Sequence, residues 1–260
     1  MIPLFYQLLE AYHPAPSYST AISVVVTPTP NNVLGVTTAT PTYIPQNIGG
    51  EGRLYTIAVL GDSMIQTLGE NLPALRKSLQ QYFPNNAFNL LNFGTGSQNI
   101  EYGLNTELPN IYSQKPDIVI VESFAYNNFG NTESGINRHW LGLGAITTTL
   151  KQKLPHAKII IAATIAPNSI VFGNGIKDLH FTALEKLEKA STTKLYLENA
   201  VNFANSMGFP LADAYHLSLF GNDGLKEFIN PSDNLHPSGT GAALFSDVIA
   251  DTISRNKLLD

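Results

Sequence analysis

The chain has 260 residues, 43% hydrophobic and 13% charged, and 15 Lys and Arg against 20 Asp and Glu give a net charge of −5. Such mild acidity argues against nucleic acid as a partner, and the length suits one α/β domain with a sizeable core. Cysteine is absent, which excludes disulfides, thiolate nucleophiles, Cys-ligated zinc and iron–sulfur clusters, and no apolar run reaches the ~18–20 residues of a membrane span.

The first fifty residues differ from the rest. An apolar stretch at 2–12 has the composition of one or two helical turns, and 18–46 is rich in Thr and Pro. Prolines at this density forbid helix and interrupt sheet ladders, so residues 1–52 read as an extension or linker before a domain at 53–260. Within the extension, 22–26 is β-branched enough for a strand, with Asn31-Asn32 as a turn before 33–38. The first Lys or Arg is Arg53, so the charged start of a secretory signal and the Arg-rich face of a transit peptide are both missing. As written, the sequence suits the cytoplasm; a Thr/Pro-rich arm without Cys suits an exported or surface-linked protein whose leader is not included.

From Arg53 on, strand-like and helix-like stretches alternate. Residues 54–60 are apolar and end at Gly61; 70–82 has helical spacing; 88–93 ends at Gly94; 116–121 contains the run Ile118-Val119-Ile120-Val121, typical of a strand covered on both faces. Helix at 136–154, strand at 157–164, a long helix at 178–207, a short strand at 209–212 and a closing helix at 240–254 complete the series. This alternation predicts a three-layer α/β/α domain around a flavodoxin-like, doubly wound, parallel five-stranded sheet.

In such sheets, function collects at the carboxyl ends of the strands. The first strand runs into Gly61-Asp62-Ser63-Met64, the second into Asn92-Phe93-Gly94-Thr95-Gly96, and the third through Glu122-Ser123-Phe124-Ala125 into Tyr126-Asn127-Asn128. After the fifth comes a loop ending in Asp233-Asn234-Leu235-His236-Pro237. Taken singly, each has an ordinary structural reading. Gly-Asp-Ser is a common turn, a strand-end Gly permits positive φ, and an Asn after a strand bonds its own backbone. Asp-x-x-His can start a helix capped by Ser238, and its spacing would also suit a metal. Together, a serine, a glycine turn, an asparagine and an Asp-x-x-His on one rim are the inventory for acyl transfer. There is no Gly-x-Ser-x-Gly elbow, no Gly-x-Gly-x-x-Gly after a strand and no Walker pattern, so α/β-hydrolase and nucleotide-binding alternatives lack support.

Over about residues 55–260 these blocks resemble the SGNH (GDSL-like) hydrolase family. Gly61-Asp62-Ser63 matches the block whose Ser is the nucleophile, and Gly94 matches the glycine whose backbone N–H helps form the oxyanion hole. The family's Gly-x-Asn-Asp appears as Ala125-Tyr126-Asn127-Asn128, making Asn127 the oxyanion amide, with Asn128 as the competing choice. Asp233-x-x-His236-Pro237 matches the block carrying the triad Asp and His. The resemblance implies a serine esterase without metal or cofactor, acting on a small-molecule ester. Substrates in the family range over simple carboxylic esters, lysophospholipids and carbohydrate O-acetyl groups; a rival reading is a non-catalytic binding module on a stalk.

Met64, Tyr126, Phe129 and Leu235 adjoin the motifs and are the expected pocket side chains, giving an apolar rim for a short or medium acyl chain. No long lid is apparent, which favours small soluble esters. Of the other histidines, His216 is close enough in topology to reach the pocket, whereas His13, His139, His156 and His180 fit the site poorly. Ser97 reads as a turn residue, and Glu122 and Asp62 as structural hydrogen-bonders.

Overall fold

The structure is a computed structural model and describes residues 52–260. The expected elements before Gly52 lie outside that range. Strands β1 (Leu54–Gly61), β2 (Ala87–Gly94), β3 (Ile118–Glu122), β4 (Lys158–Ala163) and β5 (Leu211–Asp213) form one sheet, all parallel, in the order β2-β1-β3-β4-β5. That is the flavodoxin-like order the alternation predicts. The helices are α1 (Ser63–Gln66), α2 (Pro73–Tyr82), α3 (Ile100–Tyr102), α4 (Leu108–Gln114), α5 (Glu133–Lys153), α6 (Ala183–Met207), α7 (Ala214–Leu217) and α8 (Gly239–Arg255). Among the described residues, no helix is long and apolar enough to cross a membrane.

Period-two alternation along β1 explains the layers. Ile57 and Val59 face Leu75 and Leu79 of α2 and Phe245 and Ile249 of α8. Ala58 and Leu60 face Ile111 of α4, Leu143 and Ile146 of α5, and Phe203 of α6. Ile118, Val119, Ile120 and Val121 of β3 are fully buried, each such side chain contributing about 1.5–3 kcal/mol. The central strand therefore fixes the position of whatever its carboxyl end carries.

Helix starts differ from expectation for local reasons. In α2 the start is Pro73, after Leu72 in left-handed backbone (φ 45°), because Pro favours the first helical turn. For α5 it is Glu133, where Thr132 Oγ1 accepts from Gly135 N–H at 3.0 Å. In α6 it is Ala183 rather than 178, set by a reciprocal bond between Thr182 and Glu185. One stretch with no expected element, 100–114, is helical, with a π turn at Gly103–Glu107 joining α3 to α4.

Candidate active site

The register puts Gly61 opposite Gly94 and Leu60 opposite Val121, so three strand ends lie side by side. Ser63 opens α1 directly after β1 and is half-buried. Among the described residues, neither its N–H nor its Oγ has a hydrogen-bond partner. Asp62, fully buried, caps the turn: Oδ1 accepts the Met64 N–H at 2.8 Å and Oδ2 accepts Asn127 Nδ2 at 3.0 Å. The third loop is thus tied to the Ser63 turn by a side-chain bond, with one Asn127 amide hydrogen left over.

Asp233 is bound at both oxygens. Oδ1 accepts the Leu235 and His236 N–H groups at 2.9 and 3.0 Å, and Oδ2 faces His236 Nδ1 at 3.1 Å. Burial raises its carboxyl pKa, but the His236 and Leu235 N–H bonds outweigh that and hold it below the ordinary value. The anion so fixed orients the ring and leaves Nε2 as the free nitrogen. The tight bend at Asn234 (φ 51°) suits Asn, which tolerates left-handed backbone. Its Nδ2 donates to Asn174 O at 2.7 Å, and its carbonyl accepts Gly173 N–H at 3.1 Å.

A small apolar cluster draws the loops together. Met64, Ile165 and Ile229 are buried against one another, with Tyr126 and Phe228 packed on them. The Ser63 turn, the third and fourth strand-end loops and the root of the His236 loop all contribute a side chain. Met64, expected in the pocket, is instead fully buried in this cluster, because the side chain after Ser63 points inward. Phe129, also expected there, packs on the core with the Arg138 guanidinium 4.2 Å from its ring centre.

Tyr126 and Leu235 do line the cleft beside Asn127, a cavity of about 510 Å³. Its remaining apolar wall, Phe172, Ile176, Leu179 and Phe181, comes from residues 164–182 between β4 and α6, where no lid was expected. Phe172 stacks on Tyr126 (centroids 6.2 Å, planes 5° apart). A larger groove of about 770 Å³ along α5 shares no residue with the site. His216 does not reach the cleft: it lines a separate groove behind β5 and lies between Asp213 (2.7 Å) and Glu198 (3.1 Å). Ser97 is a turn residue with φ 59°.

Gly94 has a different reason from the one expected. Its φ is not positive; a Cβ there would lie 2.3 Å from Gln66 N and 2.7 Å from Ile65 C, so only glycine lets β2 end against the backbone of α1. Its N–H donates to Asn92 Oδ1 at 2.8 Å and would have to be shared or released to serve an oxyanion. Among the described residues no group of three or more His, Cys, Asp or Glu is placed to hold an ion.

Burial pushes the Asp62 carboxyl up to about 6, against the lowering effects of the Met64 N–H, the Asn127 amide and nearby His236. A raised carboxyl pKa favours the native state below the unfolded value of 3.8 and loses that contribution as pH climbs through about 6. Asp62→Asn, which cannot ionise, should gain stability relative to wild type between pH 4 and 7, by up to about 3 kcal/mol. Denaturant melts at the two pH values measure it, and a pH-independent difference would contradict it.

The profile of the GDSL-like lipase/acylhydrolase family matches residues 59–244. Solved structures with the same fold include a lipase/acylhydrolase from Enterococcus faecalis (18% identity, TM-score 0.54, covering 78% of this chain and 96% of that one). An acetylxylan esterase from Geobacillus stearothermophilus (14%, 0.54, 78% and 95%) and a GDSL-like lipase from Bacteroides thetaiotaomicron VPI-5482 (13%, 0.55, 78% and 89%) are similar. At these identities the likeness establishes the fold. No curated protein matches the sequence. The family match spans the Gly61-Asp62-Ser63 turn, the strand-end loops and the Asp-x-x-His loop together, and the chain belongs to the GDSL-like lipase/acylhydrolase family.

Proposed function

We propose that the chain is a serine ester hydrolase for short- to medium-chain carboxylic esters, with Ser63 as nucleophile, His236 as base and Asp233 as orienter. The observation that carries this reading is the bidentate hold of Asp233 on the His236 N–H and ring, on the same rim as a Ser63 whose hydroxyl has no hydrogen-bond partner among the described residues. Ser63 Oγ attacks the ester carbonyl while His236 Nε2 takes its proton, then returns it to the leaving alkoxide; Asp233 steadies the imidazolium. The tetrahedral oxyanion is received by the Ser63 N–H and the second hydrogen of Asn127 Nδ2. Water, deprotonated by the same His236, then releases the acid. The Ser63–His236 bond forms as substrate excludes water, which is common where free-enzyme geometry is loose. The catalytic domain is read as 53–260, since every strand of the sheet lies between Leu54 and Asp213.

Cleft size and lining favour an acyl chain over a lone acetyl group. At about 510 Å³, with Tyr126, Phe172, Ile176 and Phe181 on its apolar side and Asn127, Asn128, Glu188, Lys189 and Thr193 on its polar side, the cavity has the dimensions and mixed lining of small-molecule sites. Two added methylenes buried there are worth ~1.6 kcal/mol at ~0.8 kcal/mol each. The kcat/KM for p-nitrophenyl butyrate should therefore exceed that for the acetate by about tenfold. Equal or falling values across acetate, butyrate and hexanoate would argue against the acyl pocket.

A further inference from the structure

Directly beneath the nucleophile turn lies a fully buried acid that the reaction as described leaves unused. Glu122 ends β3 and is 0% exposed. Its side chain crosses over Gly61: a Cβ on that glycine would sit 2.9 Å from Glu122 Cβ and 3.1 Å from its Oε2. Oε1 accepts the Ser123 hydroxyl and Oε2 accepts the Phe124 N–H at 2.8 Å. One acid therefore packs over the glycine two residues before Ser63 and binds the loop that leads to Asn127.

The Phe124 contact has a purpose that packing alone does not require. Phe124 has φ 53°, a left-handed backbone that costs a non-glycine residue of order 1–3 kcal/mol unless its surroundings enforce it. Its N–H is held by Glu122, its carbonyl accepts the Asn127 N–H at 3.3 Å, and its ring fills the space left by Gly103, whose Cβ would lie 2.7 Å from the ring edge. That turn aims the Asn127 amide. Behind it, His139 Nε2 lies 2.6 Å from Ser123 O and Nδ1 lies 2.9 Å from Asn199 Nδ2. Burial lowers the His139 pKa to about 4, so the ring is neutral, with Nε2–H donating forward and Nδ1 accepting behind. The chain of bonds runs from α6 through α5 to the third loop and ends at Asp62 and Asn127.

We infer that Glu122 is a positioning residue for catalysis: it sets the Ser63 turn and the oxyanion loop relative to each other by packing over Gly61 while accepting hydrogen bonds from Ser123 and Phe124. This rests on the hydrolase reading of Ser63 and Asn127. Misplacing a reacting group by an ångström can cost about 10²-fold in rate, and a loss of aim that arises only in the transition state lowers kcat while leaving KM alone.

The test is turnover per titratable serine in Glu122→Gln and Glu122→Met, with active sites counted by a fluorophosphonate. Gln keeps one acceptor oxygen and Met none, so kcat per labelled site should fall about five- to tenfold in the first and ten- to thirtyfold in the second, with KM within about twofold. If the Met variant does not fold, the Gln variant decides. A purely structural acid would lower the melting temperature or the number of labelled sites without changing turnover at each. Wild-type turnover per labelled serine would overturn the positioning role and leave the hydrolase reading intact, whereas failure of the wild-type protein to label at Ser63 would remove the hydrolase reading itself.

Discussion

Ser63→Ala is expected to lower kcat for p-nitrophenyl butyrate by on the order of 10⁶, leaving the ~10³–10⁴ over water that binding and the oxyanion donors supply. The fold should be unaffected. Ser63 is half-buried and its hydroxyl has no partner among the described residues, so the substitution leaves no orphaned group there and should change stability by less than about 0.5 kcal/mol. Capping of α1 survives because Asp62, not Ser63, bonds the Met64 N–H. Peptide mapping after fluorophosphonate treatment should place the label on Ser63 alone. An Ala variant with near-wild-type turnover would transfer the nucleophile to another group, and Ser97 is then the first to examine, being the other serine at a strand-end turn. Loss of activity accompanied by loss of cooperative unfolding would mean that the residue was misjudged as dispensable to the fold.

The strands were the most legible part of the sequence. A run such as Ile118-Val119-Ile120-Val121 has one economical use, a strand covered on both faces, and its carboxyl end then carries the site. Ser63, Asp233 and His236 are proposed from the sequence because each follows a strand or sits in a short loop where local chemistry is written in consecutive residues. What escaped was written across the fold. Helical spacing continued backward past Thr182, so 178–182 read as helix, although the Thr182-x-x-Glu185 capping box marks the true start; the cleft wall of Phe172, Ile176, Leu179 and Phe181 was missed with it. Helix at 100–114 was hidden by Gly103, Pro109 and a π turn, none of which fits a 3.6-residue period. Met64 and Phe129 were placed in the pocket by adjacency, yet neighbours in a tight turn point in different directions. His139 stands sixteen residues from Ser123 and sixty from Asn199, so its link to the Glu122 loop exists only when β3, α5 and α6 pack.

Asn127 and Asn128 give the sharper test of the oxyanion hole, because adjacent identical side chains are put to different uses. Both polar ends of Asn128 are engaged within its own loop: Nδ2 donates to Ala125 O at 2.9 Å and Oδ1 accepts the Gly130 N–H at 3.0 Å. Asn127 spends one amide hydrogen on Asp62 Oδ2 and lines the cleft, and the other amide hydrogen has no partner among the described residues. Asn127→Ala should therefore lower kcat by about 10²–10³, or ~2.7–4 kcal/mol, with little change in KM. It should also raise the already elevated Asp62 pKa, since one of the bonds favouring the carboxylate is removed. Asn128→Ala should leave turnover within a few fold and cost ~0.5–2 kcal/mol of stability, as lost turn and cap bonds do. Steady-state kinetics and denaturant melts on the two variants decide the matter. Exchanged phenotypes would move the oxyanion role to Asn128 and require the loop to rearrange on binding substrate. If neither variant loses tenfold in kcat, the hole is made of backbone N–H groups alone, and the Asp62–Asn127 bond then serves to hold the nucleophile turn closed.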